Sequence, residues 1–171
     1  MCPMGYYCVA NSLLTPVITP VACPVGTYSN RAGLQALVNS GSTRGCLTCP
    51  AGYFCPSTSM TTPTPCGVGY YSAAGATACT ICPIGSYCSS TTTITPVSCG
   101  AGFLCTTEGM KIAPFHISIN SCLPGYWCAS NAANACPKGT YQPLYGASAS
   151  TACITTPAGF FNDQVASTSY Y

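Results

Sequence analysis

Apolar residues along this chain come in short bursts, most of them just after a glycine: Tyr6-Tyr7, Tyr53-Phe54, Tyr70-Tyr71, Phe160-Phe161. Polar stretches of Ser, Thr and Pro separate them, such as SLLTPVITPV at 12–21, PSTSMTTPTP at 56–65 and SSTTTITPV at 89–97. Bursts this short predict strands of two to four residues, paired in small hairpins. Proline in the spacers removes ladder donors and holds the preceding residue extended. The only helix-compatible run is AGLQALV at 32–38, and it is too short to be stable by itself. No apolar run is long enough to span a membrane as a helix.

The bursts belong to a recurring phrase. CPMGYYC at 2–8 returns as CPAGYFC at 49–55, CPIGSYC at 82–88, CGAGFLC at 99–105 and CLPGYWC at 122–128. CPVGTY at 23–28, CGVGYY at 66–71 and CPKGTY at 136–141 lack the second cysteine, and PAGFF at 157–161 lacks both. A repeat of this length marks a stacked array in which each unit contacts its neighbours. The phrase has a physical logic. Cysteine staples a unit too small to bury a face, and Pro-x-Gly makes a tight turn. The following aromatic can cover a disulfide and stack on the next unit. Tyr6, Tyr28, Tyr53, Tyr70, Phe103, Tyr126, Tyr141 and Phe160 fill that role, and Ser86 is followed by Tyr87.

Composition turns this pattern into a fold class. Leu, Ile, Val and Phe make up 29 of 171 residues, too few for an ordinary packed core. Disorder would require high net charge, but only 4% of residues are charged and the net charge is +2. Sixteen cysteines offset the thin core through cross-links. The expected fold is a set of small disulfide-rich tandem repeats with little regular secondary structure, short β-hairpins and an elongated rod shape. Zinc is the alternative, because CxxC occurs at Cys46–Cys49 and Cys79–Cys82. One histidine, His116, and the longer cysteine spacings favour disulfides in an oxidising compartment.

Grouped by fours, the cysteines give Cys2, Cys8, Cys23, Cys46; Cys49, Cys55, Cys66, Cys79; Cys82, Cys88, Cys99, Cys105; and Cys122, Cys128, Cys136, Cys153. The corresponding repeats are 1–48, 49–81, an irregular 82–121 and 122–156, with 157–171 the start of a fifth repeat or an assembly tail. Within a unit the expected pairing is first-to-third and second-to-fourth, as in Cys49–Cys66 and Cys55–Cys79. Cys49–Cys55 with Cys66–Cys79 remains open. Met1 opens inside a phrase without a secretory signal, so the segment is expected to be a fragment or processed piece of a larger chain.

The stretch CPAGYFC…TPTPCGVGYYSAAGATACTIC resembles the ephrin-receptor-like cysteine-rich repeat, whose phrase is CPxGxYC, a Ser/Thr/Pro spacer, then CPxGTYS…G…CxxC. The resemblance covers nearly the whole chain, best at 49–88 and 122–153 and worst at 99–121. It implies tandem extracellular modules, related to those of tumour-necrosis-factor receptors and epidermal growth factor, with no catalytic residues.

The residues themselves exclude much chemistry. Glu108 and Asp163 are the only acids and lie far apart in sequence, unlike a catalytic carboxylate pair or a calcium loop. His116 has no evident triad partner. Arg31, Arg44, Lys111 and Lys138 are scattered, unlike a nucleic-acid or anionic-membrane surface. No phosphate-binding or dinucleotide fingerprint occurs. No enzyme activity, cofactor or metal is expected. Clustered Ser/Thr beside proline predicts O-linked sugar, first on Thr15, Thr19, Thr62, Thr64, Thr91, Thr92, Thr93 and Thr95. Asn120 and Asn134 head only Asn-x-Cys, so no N-glycan is expected.

Two functions fit. One is a structural segment of an extracellular, O-glycosylated fibre, surface hair or coat. The other is the ligand-binding ectodomain of a cell-surface receptor. Scarce charge favours the first, since recognition loops usually carry complementary charge. The expected partner is a second copy, joined head to tail, because neither end has the polar cap of a soluble repeat protein.

Overall fold

The computed structural model describes residues 1–10, 18–33, 35–36, 45–114 and 120–171. Seven of the nine phrases turn at their glycine, enter a short strand, loop out, and return on a second strand that runs straight into the next phrase. In chain order the strands are β1 (Tyr6–Ala10), β2 (Ile18–Ala22), β3 (Thr27–Tyr28), β4 (Gln35–Ala36), β5 (Leu47–Thr48), β6 (Tyr53–Phe54), β7 (Thr64–Pro65) and β8 (Tyr70–Tyr71). They continue as β9 (Thr80–Ile81), β10 (Ser86–Tyr87), β11 (Val97–Ser98), β12 (Tyr126–Ala129), β13 (Ala132–Ala135), β14 (Thr140–Tyr141) and β15 (Ile154–Thr155). The antiparallel pairs are β1–β2, β3–β5, β6–β7, β8–β9, β10–β11, β12–β13 and β14–β15. Among the described residues the sixth phrase has only a bridge, Phe103 opposite Ser121.

Two compact units form. One is Met1–Ile81 with Ser90–Thr95, the other Cys82–Ser89 with Pro96–Tyr171. The helix-compatible run does not become a helix where it is described. Gln35 and Ala36 form β4, which pairs in parallel with Cys8 and Val9 of β1 and completes the one three-stranded sheet. Backbone pairing outweighs propensity in a run this short. Among the described residues the only helical turn is the 3-10 turn Ser150–Ala152.

All sixteen cysteines are paired and none is free. The pairing corrects the first-to-third expectation. Five bridges close a phrase on itself: Cys2–Cys8, Cys49–Cys55, Cys82–Cys88, Cys99–Cys105 and Cys122–Cys128. Three close a hairpin: Cys23–Cys46, Cys66–Cys79 and Cys136–Cys153. The reason is local. The glycine turn folds a phrase so that its end cysteines lie with Cα atoms 5.7 to 6.3 Å apart, the separation a disulfide spans.

The core is sulfur. Among the described residues the large fully buried side chains are all cysteine apart from Ser29 and Ser121, and the phrase aromatics are half-buried or exposed covers. Tyr87 and Phe103, for example, pack against Cys99, Cys105 and Met110. The hairpin partners Cys46, Cys79 and Cys153 are the more accessible ends, only partly buried. Mild reductant is therefore expected to open Cys23–Cys46, Cys66–Cys79 and Cys136–Cys153 before the five phrase bridges, since exchange needs access to sulfur. Differential alkylation with peptide mapping reads the order, and early labelling of Cys49 or Cys55 would contradict it.

Candidate functional site

The recurring feature that could carry function is the surface on which one repeat receives the next. Three sets of backbone bonds build it. Seven phrase glycines donate their N–H to the residue three places after the following phrase's glycine: Gly5 to Ser29 O, Gly26 to Cys55 O, Gly52 to Ser72 O, and in the second unit Gly85 to Cys105 O, Gly102 to Cys128 O, Gly125 to Gln142 O and Gly139 to Asn162 O, at 2.7 to 3.0 Å. The same seven glycines also accept from the first residue of the following phrase, as Gly5 O does from Cys23 N and Gly125 O from Cys136 N. The following hairpin's loop then donates back, as in Ser59 N to Cys23 O, Gly75 N to Cys49 O, Gly146 N to Cys122 O and Ala166 N to Cys136 O.

The loop residue in this last set holds a left-handed backbone: Ser59 (φ 60°), Gly75 (77°), Gly146 (78°) and Ala166 (54°). That turn aims its carbonyl at the glycine two phrases upstream. A side chain added at Gly5 would overlap Ser59 O, one at Gly26 would overlap Gly75 O, and one at Gly52 would overlap Thr92 O. Within the second unit Gly102 meets Gly146 O and Gly125 meets Ala166 O in the same way. Glycine is required here by both its positive φ and this approach.

Gly85 is the variation. The β12–β13 hairpin turns on two residues, Ser130 (φ 50°) and Asn131 (φ 60°), and its backbone does not reach over. The Asn131 side chain acts instead, accepting from Cys105 N at 2.6 Å and donating to Cys105 O at 3.2 Å. It lies 3.6 Å from where a Gly85 side chain would begin.

Sequence reading missed a second class of residue. Where the phrase has no second cysteine, that place holds a buried polar side chain: Ser29, Ser72, Gln142 or Asn162. Ser72 Oγ donates to Tyr53 O at 2.7 Å, Gln142 Nε2 to Ala152 O at 2.7 Å, and Asn162 Nδ2 to Thr140 O at 2.8 Å. Alignment on the glycines would have shown it, always three residues on. The same alignment explains the two bridge types. The first cysteine bonds within the phrase when its partner is there, and otherwise crosses to the hairpin. The ninth phrase carries Thr156 and Asn162 at these two places, and Thr156 Oγ1 is buried without a hydrogen-bond partner. Thr156→Cys with Asn162→Cys is expected to close a ninth disulfide spontaneously. Intact mass before and after alkylation reports it, and two free thiols would refute the alignment.

Of the candidate sugar acceptors, Thr19, Thr62, Thr64, Thr91 and Thr95 are exposed and Thr92 is half-buried. Thr93 is 8% exposed and its hydroxyl donates to Ser90 O at 2.9 Å, which withdraws it from the accessible set. Thr15, Arg44 and His116 lie outside the described residues. Arg31, Lys111, Lys138, Glu108 and Asp163 are all exposed. Among the described residues no group of three His, Cys, Asp or Glu could hold a metal ion, and no helix is long and apolar enough to cross a membrane.

At the ninth phrase aromatics gather. Tyr170 packs edge-on against Tyr141, with ring centroids 5.0 Å apart, and against Phe160 at 4.9 Å. Phe161 and Tyr171 exchange both backbone bonds, closing a last small hairpin. The outer faces of Phe160, Phe161 and Tyr171 stay exposed, Phe161 by 63%. No model of a protein family and no curated protein matches this chain. Eight disulfides with no free thiol are nonetheless the bonding of an extracellular or secreted chain.

Proposed function

We propose that the chain is a structural, non-catalytic segment of an extracellular, O-glycosylated fibre, surface hair or coat. The observation that carries this is how repeats are joined. Within each unit successive phrases bind through main-chain N–H and C=O groups and glycine clearance, which any further phrase of the same pattern can supply. Exposed apolar side chains support the reading, Met4, Ile94, Phe160 and Phe161 among them. The likeness of the phrases to ephrin-receptor-like repeats agrees with an array outside the cell. The partner is a second copy, and no cofactor is required.

Oxidatively folded protein is expected to form filaments under electron microscopy. Assembly should change little from low to high salt, because 4% charged residues leave little to screen. A stable monomer at high concentration, carrying its native glycans, would reject the fibre reading. It would favour the receptor ectodomain, for which a hollow of about 330 Å³ beside Asn30, Arg31 and Leu47 is the candidate ligand site. Sugar is expected at Thr62, Thr64, Thr91 and Thr95. Mapping that finds 56–65 and 89–97 at unmodified mass would refute that part.

A further inference from the structure

We propose that a hollow of about 430 Å³ in the second unit, between Ile84, Ser98, Gly100 and Asn131, is a binding site for an N-acetylated sugar. It does not depend on the fibre reading. The hollow lies where the repeat departs from its own pattern. The loop of the fifth phrase, at 88–96, serves two phrases before it. Thr92 O covers Gly52, two phrases upstream, and Thr91 O accepts from Gly67 N at 2.9 Å, one phrase upstream. The seventh phrase has only the two-residue turn of Ser130 and Asn131 between β12 and β13. At the equivalent places, Gly85 and Gly100, no loop carbonyl arrives. Gly85 meets the Asn131 side chain, 3.6 Å from where its own would begin, and a side chain at Gly100 would meet nothing within 4 Å. Gly67 and Gly100 stand second in their phrases, and both are left-handed, φ 85° and 76°. Gly67 N has its loop carbonyl, while Gly100 N has a contact of 3.4 Å to Ser98 Oγ. Both open glycines line the hollow.

The chemistry of the lining selects the ligand. Among the described residues no charged side chain lines the hollow. Gly100 N–H is a donor without a well-placed acceptor. Asn131 Nδ2 spends one hydrogen on Cys105 O and keeps a second, held over Gly85. The hydroxyls of Ser98 and Ser130 are exposed, and each can donate or accept. Ile84, 56% exposed, and Ala101 add apolar wall. A fitting ligand presents a neutral carbonyl where the fifth loop presents that of Thr91, hydroxyls to the serines, and a small apolar group to Ile84 and Ala101. An acetamido sugar carries all three in its carbonyl, hydroxyls and acetyl methyl. The volume is that of a small-molecule site. Glycine at 100 also lets such a ligand approach the backbone.

The test is nuclear magnetic resonance on the full oxidised chain, with N-acetylglucosamine as the probe and glucose as its counterpart lacking the acetamide. N-acetylglucosamine should shift the amides of Gly85, Gly100, Ala101, Ser130 and Asn131 and saturate. Glucose should bind roughly tenfold more weakly, the effect of losing one neutral hydrogen bond. Gly100→Pro removes the N–H and introduces the residue that Pro3, Pro50 and Pro83 supply at this place in other phrases. It should weaken the sugar by a similar factor. Ser130→Gly keeps the left-handed turn, loses the hydroxyl, and should weaken it several-fold. Amides away from the hollow should match the unaltered protein in both variants. Equal binding of glucose, unchanged binding by both variants, or no saturating shift would overturn the site. If an acetylated dipeptide amide binds as tightly as the sugar, the hollow takes peptide and the sugar assignment falls.

Discussion

Full reduction of the eight disulfides is expected to unfold the protein without any denaturant. A bridge across six residues contributes about 2 kcal/mol in the chain-entropy description, and Cys23–Cys46, which spans 23, about 3. Eight such terms together exceed the roughly 5–15 kcal/mol by which a folded domain is ordinarily stable. Little else can replace them. Among the described residues the only non-cysteine apolar side chains that are buried are Met110 and Ala147, and most strands are two residues long. Loss of near-ultraviolet dichroism and collapse of amide protection on adding reductant would show the effect. Retention of amide protection in the fully reduced, alkylated chain would show that the backbone bonds between phrases suffice, which would overturn the view of a sulfur core.

The second large effect is expected from one methyl group. Gly125→Ala and Gly139→Ala share the same backbone strain, since both glycines have positive φ, 85° and 78°. That shared term is about 1–2 kcal/mol. They differ in what the new Cβ meets. At Gly139 it meets nothing, while at Gly125 it overlaps Ala166 O and the adjoining carbonyl carbon. Neither backbone can move aside cheaply. Gly125 N is fixed to Gln142 O and its carbonyl to Cys136 N, while Ala166 N is fixed to Cys136 O. Gly125→Ala should therefore cost about 2 kcal/mol more than Gly139→Ala, in the range of overpacking a close contact. Trp127, the chain's single tryptophan, lies two residues from Gly125 and reports unfolding under oxidising conditions. Equal midpoints for the two variants would mean that the loop carbonyl does not press on Gly125.

Several features were legible in the sequence because they are local. The phrase spacing gave the hairpin positions, since a Pro-x-Gly turn followed by an aromatic pair fixes a strand start within a residue or two. Tyr53-Phe54 and Tyr70-Tyr71 do form strands. The even cysteine count and scarce charge pointed to cross-linking in place of an apolar core, and all sixteen are bridged. Other features could not be read from local spacing. Spacing favoured Cys66 as the partner of Cys49, and it is the turn at Gly52 that brings Cys55 to a Cα distance of 6.1 Å instead. Gln35 and Ala36 lie in a run of helix-favouring residue types, but β1 offers them an edge to pair with, and a short helix cannot compete with that. Thr93 looked like its neighbours Thr91 and Thr92 until the loop turned its hydroxyl onto Ser90 O.

The sequence by itself determined the repeat, the cross-linked chemistry and where each hairpin begins, because these follow from residue type and spacing over fewer than ten positions. Only the tertiary structure decided which cysteines join, why the covered glycines cannot change, and that five of the loops reach over a phrase two places upstream. Those depend on carbonyl directions set by the left-handed residues Ser59, Gly75, Gly146 and Ala166, and a carbonyl's direction in space leaves no mark in the side-chain pattern.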